Sequence, residues 1–445
     1  MIQRAKGWVS GPAERLLLLS ILACVLEGAF RKWVFRESAG PIKYACYFAK
    51  DFIFAAILFC WPRGLPSASF KRVLTVALPL VIAGASLGAV HELNIVGAVL
   101  SFRSLVALPL LTYLVIPRIA GTKIDNVAFL IGGLTVLNAL LGIAQNSSAV
   151  DAPINFYATE TIGATAYEES VRAAGTFSYI TGYANLAMAG SWAGLSLICL
   201  ARGRFSYILG GWGAYLASLT CALVSISRGT VLIVLAMLVI LGVSGRDAFG
   251  NLLKGVAAAA ILLAVGYALS FNPTVVRLTD TIIARHESSD ETIEGRTVEP
   301  FLEAGLATEI APFGSGFGTE QVGGVYAETG IMSFRRFESQ FARLVVETGF
   351  VGLLGFMITC GGTLYVLFQA RSIVIDEGLR RVFVLSAFIV ASFFFTNVVF
   401  NHFASFFAWV LVAITLASAS QARAVKGVAS YKSTGAMSAL SSGTP

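Results

Sequence analysis

The sequence predicts an all-α, polytopic membrane protein with about twelve transmembrane helices. Of its 445 residues, 56% are hydrophobic and 13% are charged, whereas a soluble domain carries about 25% charged residues. Apolar runs long enough to cross roughly 30 Å of hydrocarbon as helix recur along the whole chain. One such run is compatible with a buried core helix, but so many runs indicate a surface that faces lipid.

The apolar runs define a single transmembrane domain over residues 1–419, followed by a Ser-, Ala- and Gly-rich tail, 420–445, that is predicted to be disordered and cytoplasmic. A large outer loop, 272–345, precedes the tenth span and contains helix-compatible stretches at 294–306 and 333–347. Structured loops of this length are usually functional. The predicted spans are 15–35, 42–61, 73–90, 94–116, 127–146, 180–201, 205–226, 229–245, 254–271, 346–370, 380–397 and 401–419.

The distribution of basic residues predicts the topology. The formal net charge is +7, and much of the positive charge lies in short connections, which favour the cytoplasmic side of a membrane. With both termini in the cytoplasm, the long connections 147–178 and 272–345 lie outside. One connection departs from the rule, because it would place Arg31, Lys32, Arg36 and Lys43 outside. The basic residues of the cytoplasmic connections are then Arg63, Lys71, Arg72, Arg118, Lys123, Arg202, Arg204, Arg246, Lys254, Arg371, Arg380 and Arg381, and the tail adds Arg423, Lys426 and Lys432.

Several classes of function lack their sequence signals. The chain has no nucleic-acid-binding motif, P-loop, Gly-x-Ser-x-Gly elbow or His-Glu-x-x-His pair. It also has no Asp-x-Asp pair that would hold a metal-bound nucleotide sugar, and its six cysteines show no CxxC spacing. We therefore expect no cofactor, no metal site and no nucleic-acid partner.

Four segments occur in a distinctive order. In chain order they are Val171-Arg-Ala-Ala-Gly-Thr-Phe-Ser-Tyr; Ser225-Ile-Ser-Arg-Gly-Thr; Glu294-Gly-Arg-Thr-Val-Glu-Pro-Phe-Leu-Glu-Ala-Gly, continuing to Gly314-Ser-Gly-Phe-Gly-Thr; and Glu338-Ser-Gln-Phe-Ala-Arg-Leu-Val-Val-Glu-Thr-Gly-Phe-Val-Gly-Leu-Leu-Gly-Phe. Each motif alone is weak. The ordered set, with the large loop ahead of the tenth span, resembles the O-antigen ligase and O-antigen polymerase family of bacterial membrane glycosyltransferases. The resemblance covers mainly residues 170–357.

The resemblance implies a location in the bacterial inner membrane, with the active site on the periplasmic face. It also implies a metal-independent enzyme that moves a glycan from undecaprenyl diphosphate to an acceptor, either the next lipid-linked repeat unit (polymerase) or the lipid A core (ligase). In the ligases the last motif usually begins with histidine, and here that position is Glu338. This departure favours a polymerase for O-antigen or exopolysaccharide. The alternatives are a ligase, a flippase for lipid-linked glycans, or a non-catalytic scaffold in a polysaccharide assembly complex.

The chemistry of the reaction selects the candidate site residues. A diphosphate leaving group requires permanent positive charge, and the planar guanidinium of arginine can bind phosphate oxygens bidentately. By resemblance, Arg228 and Arg296 are the predicted diphosphate ligands, and Glu338 is the predicted base for the acceptor hydroxyl. Each has a structural alternative, such as anchoring a helix end or satisfying a helix dipole. The further predicted substrate-binding residues are Arg335, Arg336, Arg343, Arg172, Arg31 and Lys32.

Charged residues inside the early spans are the remaining signal. Glu27, Lys50, Asp51 and Arg103 fall where contact with lipid is costly, so they are expected to face protein or water. Glu27 and Arg31 are one helical turn apart, which predicts an ion pair. Asp51 is predicted to pair with Arg103 of another span. Structural pairing is the favoured interpretation, and a polar groove for the donor is the alternative.

Overall fold

The computed structural model describes residues 11–36, 40–64, 66–88, 95–157, 166–167, 170–244, 299–318, 340–394 and 403–419. Its α-helices are α1 (Pro12–Ala29), α2 (Gly40–Ala56), α3 (Ala68–Gly88), α4 (Ile95–Phe102), α5 (Leu108–Ile119), α6 (Ile124–Asn146), α7 (Ile180–Leu200), α8 (Phe205–Val224), α9 (Arg228–Val243), α10 (Glu299–Ile310), α11 (Gln340–Ile373), α12 (Glu377–Ser392) and α13 (Phe403–Ala419).

The predicted all-α class is confirmed in these residues. The minor exception is a two-residue strand pair, β1 (Ala166–Tyr167) antiparallel to β2 (Ser170–Val171). Six of the described helical segments are long and apolar enough to cross a membrane. Helices overlap every predicted span except 254–271, which lies outside the described residues. These helices are compatible with a polytopic membrane architecture, because helices satisfy their own backbone hydrogen bonds where water is absent.

α7 lies at the centre of the helix assembly. Of its most apolar window, 78% is buried inside the protein, which is typical of a helix surrounded by other helices. Its Trp192 indole nitrogen donates to Ser386 Oγ of α12 at 2.9 Å, and Ser386 lies 2.8 Å from Thr415 Oγ1 of α13. This buried chain of polar groups ties the last two helices to the centre.

Two helices contain a π-helical turn where the sequence places charged residues. α1 continues into a π turn, Phe30–Val34, which carries Arg31 and Lys32. A second π turn, Arg103–Ala107, joins α4 to α5, so that the two helices form one continuous candidate span. Such turns insert an extra residue into the helix, rotate the side chains that follow and are frequent at functional sites.

α11 contains a sharp break at Gly349, where φ is 63° and ψ is −175°. The longer part of α11, beyond this break, packs closely against α3 because glycines line the contact. An added Cβ at Gly84 of α3 would lie 2.7 Å from the backbone nitrogen of Gly352, and one at Gly355 would lie 2.7 Å from the carbonyl oxygen of Ala77. Small residues of this kind let membrane helices approach each other closely.

The helix directions separate two groups of connections. The 171–179 segment lies at the end of α6 and α8 and at the start of α7. At the opposite ends of the same three helices, residues 122–125 and 200–204 share one crevice with Leu379. The positive-inside rule predicts the first group on the outer side and the second in the cytoplasm, which requires the two groups to lie at opposite ends of these helices, as they do.

Candidate functional site

The first motif forms an irregular segment, residues 171–179, that buried amide side chains of α6 hold in place. Gln145 Oε1 accepts from the backbone N–H groups of Ala174 and Gly175 at 3.1 and 2.7 Å. Asn138 Oδ1 accepts from the N–H of Thr176 at 2.9 Å. Non-helical backbone between apolar helices needs such partners, because a buried polar group without a hydrogen bond is costly. The segment is therefore a built feature of the helix assembly.

The basic residues at the end of α1 contact this same segment. Arg31 Nη1 donates to Glu27 Oε1 at 2.8 Å, which confirms the predicted pair, and to Ser178 Oγ at 3.2 Å. Lys32 is fully buried, and its ammonium donates to the carbonyl oxygen of Gly175 at 2.6 Å. Lys32 thus orders the segment, and Arg31 links it to Glu27 of α1.

The second motif meets the first. Arg172 Nε donates to the carbonyl oxygen of Ser225 at 3.2 Å, and the N–H of Ala173 donates to the carbonyl oxygen of Val224 at 3.1 Å. Ile226 has a φ of 52°, a conformation that is rare for a β-branched residue and clusters at functional sites. α9 begins directly afterwards, at Arg228. The backbone of Arg228 is therefore a few residues from the contact with Arg172.

The third and fourth motifs form a separate group at the break in α11. The N–H of Ser315 donates to the carbonyl oxygen of Val346 at 2.5 Å, and that of Gly316 donates to the carbonyl oxygen of Glu347 at 3.1 Å. Gly318 contacts α4, and a Cβ added to it would lie 2.3 Å from the backbone nitrogen of Ala98. The glycine-rich segment is thus fixed to α11 and α4 by its backbone.

A second set of charges is buried between α1, α2 and the second π turn. Arg103 Nη2 lies 2.7 Å from Asp51 Oδ1, which confirms the predicted pair, and Lys50 Nζ lies 3.6 Å from Asp51 Oδ2. Lys50 is fully buried and its ammonium also donates to the carbonyl oxygen of Tyr47. The Tyr47 ring lies 4.2 Å from Lys50 Nζ and 5.5 Å from the Arg31 guanidinium carbon. This ring connects the buried charges with the basic residues at the 171–179 segment.

The predicted site residues fall into three sets. Arg31, Lys32 and Arg172 meet at the 171–179 segment. Arg343 lies half-buried on the first part of α11, in the group formed by the third and fourth motifs. The backbone of Arg228 begins α9, but its side chain lies outside the described residues, as do Arg296, Arg335, Arg336 and Glu338. Among the described residues, no group of three or more His, Cys, Asp or Glu side chains is arranged to hold a metal ion.

The amide residues that hold the 171–179 segment in place were not among the predicted site residues. Asn138, Gln145 and Asn146 lie on α6, which is otherwise an apolar span, and Asn146 Nδ2 donates to the carbonyl oxygen of Val171 at 2.8 Å. The available signal was their presence in an apolar span, because uncharged amides there also need hydrogen-bond partners.

Fold and site together define a class: in the part of the chain that the structure describes, a helical protein with six candidate membrane spans and an irregular, cation-bearing segment among its helices. No protein-family model matches the sequence, and no curated protein is significantly similar to it.

Gly28 provides a test of how tightly the 171–179 segment must pack on α1. A Cβ there would lie 2.3 Å from the nitrogen of Ser178 and 2.4 Å from the carbonyl oxygen of Thr176, so Gly28→Ala forces backbone to move. We expect this overpacking to cost about 1–3 kcal/mol and to lower the thermal unfolding midpoint in detergent. Gly133→Ala on α6 is the matched control, because nothing lies within 4 Å of its added Cβ. Equal midpoints for the two variants would contradict the described packing.

Proposed function

We propose that the protein is a membrane glycosyltransferase that moves a glycan from undecaprenyl diphosphate to an acceptor sugar on the outer face of the bacterial inner membrane. Polymerisation of O-antigen or exopolysaccharide repeat units is the favoured reaction. The proposal includes twelve spans, both termini in the cytoplasm and a periplasmic active site.

The observation that carries the proposal is the convergence of the first two motifs with basic residues. Arg31 and Lys32 precede the 171–179 segment by well over a hundred residues, yet their side chains bond to it directly. Arg172 of that segment bonds to the second motif, just ahead of Arg228. A group of cations in one place suits a ligand that carries several negative charges, and a lipid diphosphate is such a ligand.

The chemistry then follows from the leaving group. The acceptor hydroxyl oxygen attacks the anomeric carbon of the donor glycan and gives its proton to a carboxylate, for which Glu338 is the candidate. The bond between that carbon and the diphosphate oxygen breaks, and undecaprenyl diphosphate leaves with the electron pair. Arg228 and Arg296 stabilise the charge that develops on the leaving oxygen, a contribution that is often the largest in a site shielded from water.

The experiment is rescue of a deletion strain at matched membrane levels, with lipid-linked glycans measured by mass spectrometry. We expect Arg228→Ala, Arg296→Ala and Glu338→Gln each to reduce polymer formation by about 10²-fold or more, so that single lipid-linked repeat units accumulate. Arg72→Ala is the matched control, because Arg72 is exposed on α3, outside all four motifs, and is predicted to face the cytoplasm.

The other outcomes separate the alternatives. Full-length lipid-linked chains that fail to reach the final acceptor would identify a ligase, which the family resemblance also allows. Repeat units trapped on the cytoplasmic leaflet would identify a flippase and contradict a transferase. Normal polymer from Arg228→Ala would favour a scaffold without catalytic activity.

A further inference from the structure

A crevice of about 230 Å³ lies at the end of the helix assembly opposite the 171–179 segment. Two connections that the sequence assigns to the cytoplasm, those before α6 and before α8, meet there with the first turn of α12 and the end of α13. The lining residues are Thr122, Lys123, Ile124, Asp125, Leu200, Arg202, Arg204, Leu379 and Ser418.

The charges that line this crevice are mainly positive: three basic side chains and one carboxylate. The carboxylate, Asp125, already accepts from the hydroxyl of Tyr207 at 2.5 Å. Arg204 stacks on the same tyrosine ring, 3.5 Å from its centroid. Arg202 contacts Asp376, whose carboxylate also accepts from the N–H of Leu379 at 2.8 Å. The three basic side chains outnumber the carboxylates of Asp125 and Asp376, so the crevice carries a net charge of +1.

Two helix ends add to the positive potential of the crevice. α6 and α8 begin beside the crevice, with Lys123 and Arg204 at their N-cap positions and no side-chain cap on either helix. Asp, Asn, Ser or Thr is the usual residue there, and a cation is disfavoured by the helix dipole. At α6, the carboxylate of Asp125 in the first turn offsets the unfavourable interaction between the cation and the helix dipole. The first turn of α8 has no acidic residue. Cations at positive helix ends are favourable when an anion is bound between them.

The surroundings indicate an amphiphilic anion. Phe205 and Leu209, on the first turns of α8, have exposed fractions of 74% and 62%. Phe129 of α6 stacks edge-to-face with Tyr207 and is 39% exposed. Apolar surface that suits acyl chains thus begins beside the basic crevice, and in the predicted topology this is the level of the cytoplasmic headgroups. Basic pockets between membrane helices on this side are sites for phosphate-bearing lipids.

We infer that this crevice binds the phosphate group of an anionic membrane lipid. Lys123 and the Arg202–Arg204 connection contact the phosphate, while the acyl chains lie on the exposed apolar face of α8. The inference is independent of the proposed transferase activity, since the crevice is at the other end of α6, α7 and α8.

The test is native mass spectrometry of the full-length protein in detergent, with phosphatidylglycerol or phosphatidylcholine at equal concentration. We expect preferential retention of phosphatidylglycerol, and a loss of affinity of roughly fivefold for each basic charge removed. Lys123→Gln tests one charge without disturbing the Arg202–Asp376 contact, and Lys123→Gln with Arg202→Gln tests two. Lys71→Gln with Arg72→Gln is the matched control, because both residues are exposed and are predicted to face the same side.

A charge-retaining pair, Lys123→Arg with Arg202→Lys, is expected to keep the lipid and so separates charge from folding. Equal retention of the two lipids would overturn the inference, as would equal affinity of the Lys123→Gln variant and the control. Inorganic phosphate, added alone at the same concentration, is expected to leave phosphatidylglycerol bound. Complete displacement by phosphate would assign the crevice to a free anion and contradict a lipid site.

Discussion

Replacing Gly349 with alanine is expected to destabilise the protein and release the glycine-rich segment 314–318 from α11. The residue has φ 63° and ψ −175°, a combination that is essentially restricted to glycine and costs about 1–3 kcal/mol for other residues. An added Cβ would also lie 2.5 Å from the carbonyl carbon of Phe313 and 2.8 Å from the nitrogen of Gly314. Both neighbours are backbone atoms, so relief requires the segment to move.

The same helix supplies the control. Gly361 lies further along α11, and nothing is within 4 Å of its added Cβ. Gly361→Ala is therefore expected to be neutral or to stabilise the helix by up to about 1 kcal/mol. Thermal unfolding in detergent measures both variants, and protease cleavage in the predicted outer loop, which contains 314–318, measures the release of that segment. Equal unfolding temperatures of the Gly349→Ala and Gly361→Ala variants, with no additional cleavage of Gly349→Ala, would show that the break in α11 does not require glycine.

Hydropathy predicts where the helices lie, because a backbone segment that crosses a membrane has almost no alternative to the helix. It does not predict their internal irregularities. The span 94–116 was predicted as one helix, and the structure divides it into α4, a π turn at Arg103–Ala107 and α5. That turn lies where Arg103 reaches Asp51. A π turn that accompanies a contact with another helix leaves no periodic pattern in the sequence of its own segment.

The ion pairs of the site were predictable and its supporting contacts were not. Charges are so rare in these spans that Glu27–Arg31 and Asp51–Arg103 had few other partners. In contrast, Gln145 holds the segment by accepting from two backbone N–H groups. Every residue type except proline has the same backbone N–H and C=O groups. When a side chain bonds to the backbone, the sequence therefore contains no particular partner residue that would predict the contact. The close approach at Gly28 is hidden for the same reason.

Replacing Asp51 with asparagine is expected to have the other large effect. It would leave the Lys50 ammonium and the Arg103 guanidinium, both buried, without the carboxylate that lies between them. Removing one partner of a buried ion pair costs about 3–5 kcal/mol. Glu14→Gln is the matched control, since Glu14 is also buried but accepts from the neutral amide of Asn126 at 2.7 Å. A much smaller loss of thermal stability is expected for that variant.

A double-mutant cycle with Arg103→Gln determines what the Asp51 carboxylate does. If it mainly balances the guanidinium, Asp51→Asn will cost less in the Arg103→Gln background, with a coupling energy of about 0.5–3 kcal/mol. Additive effects would show that the carboxylate acts elsewhere, for example through Lys50. The amount of polymer per folded protein then distinguishes a structural role of this cluster from a role in binding the donor of the proposed reaction. The Tyr47 ring contacts both Lys50 and Arg31. If the cluster lines a groove for the donor, the Asp51→Asn variant will make less polymer per folded protein than the wild type. If the cluster is purely structural, polymer will fall only in proportion to folded protein.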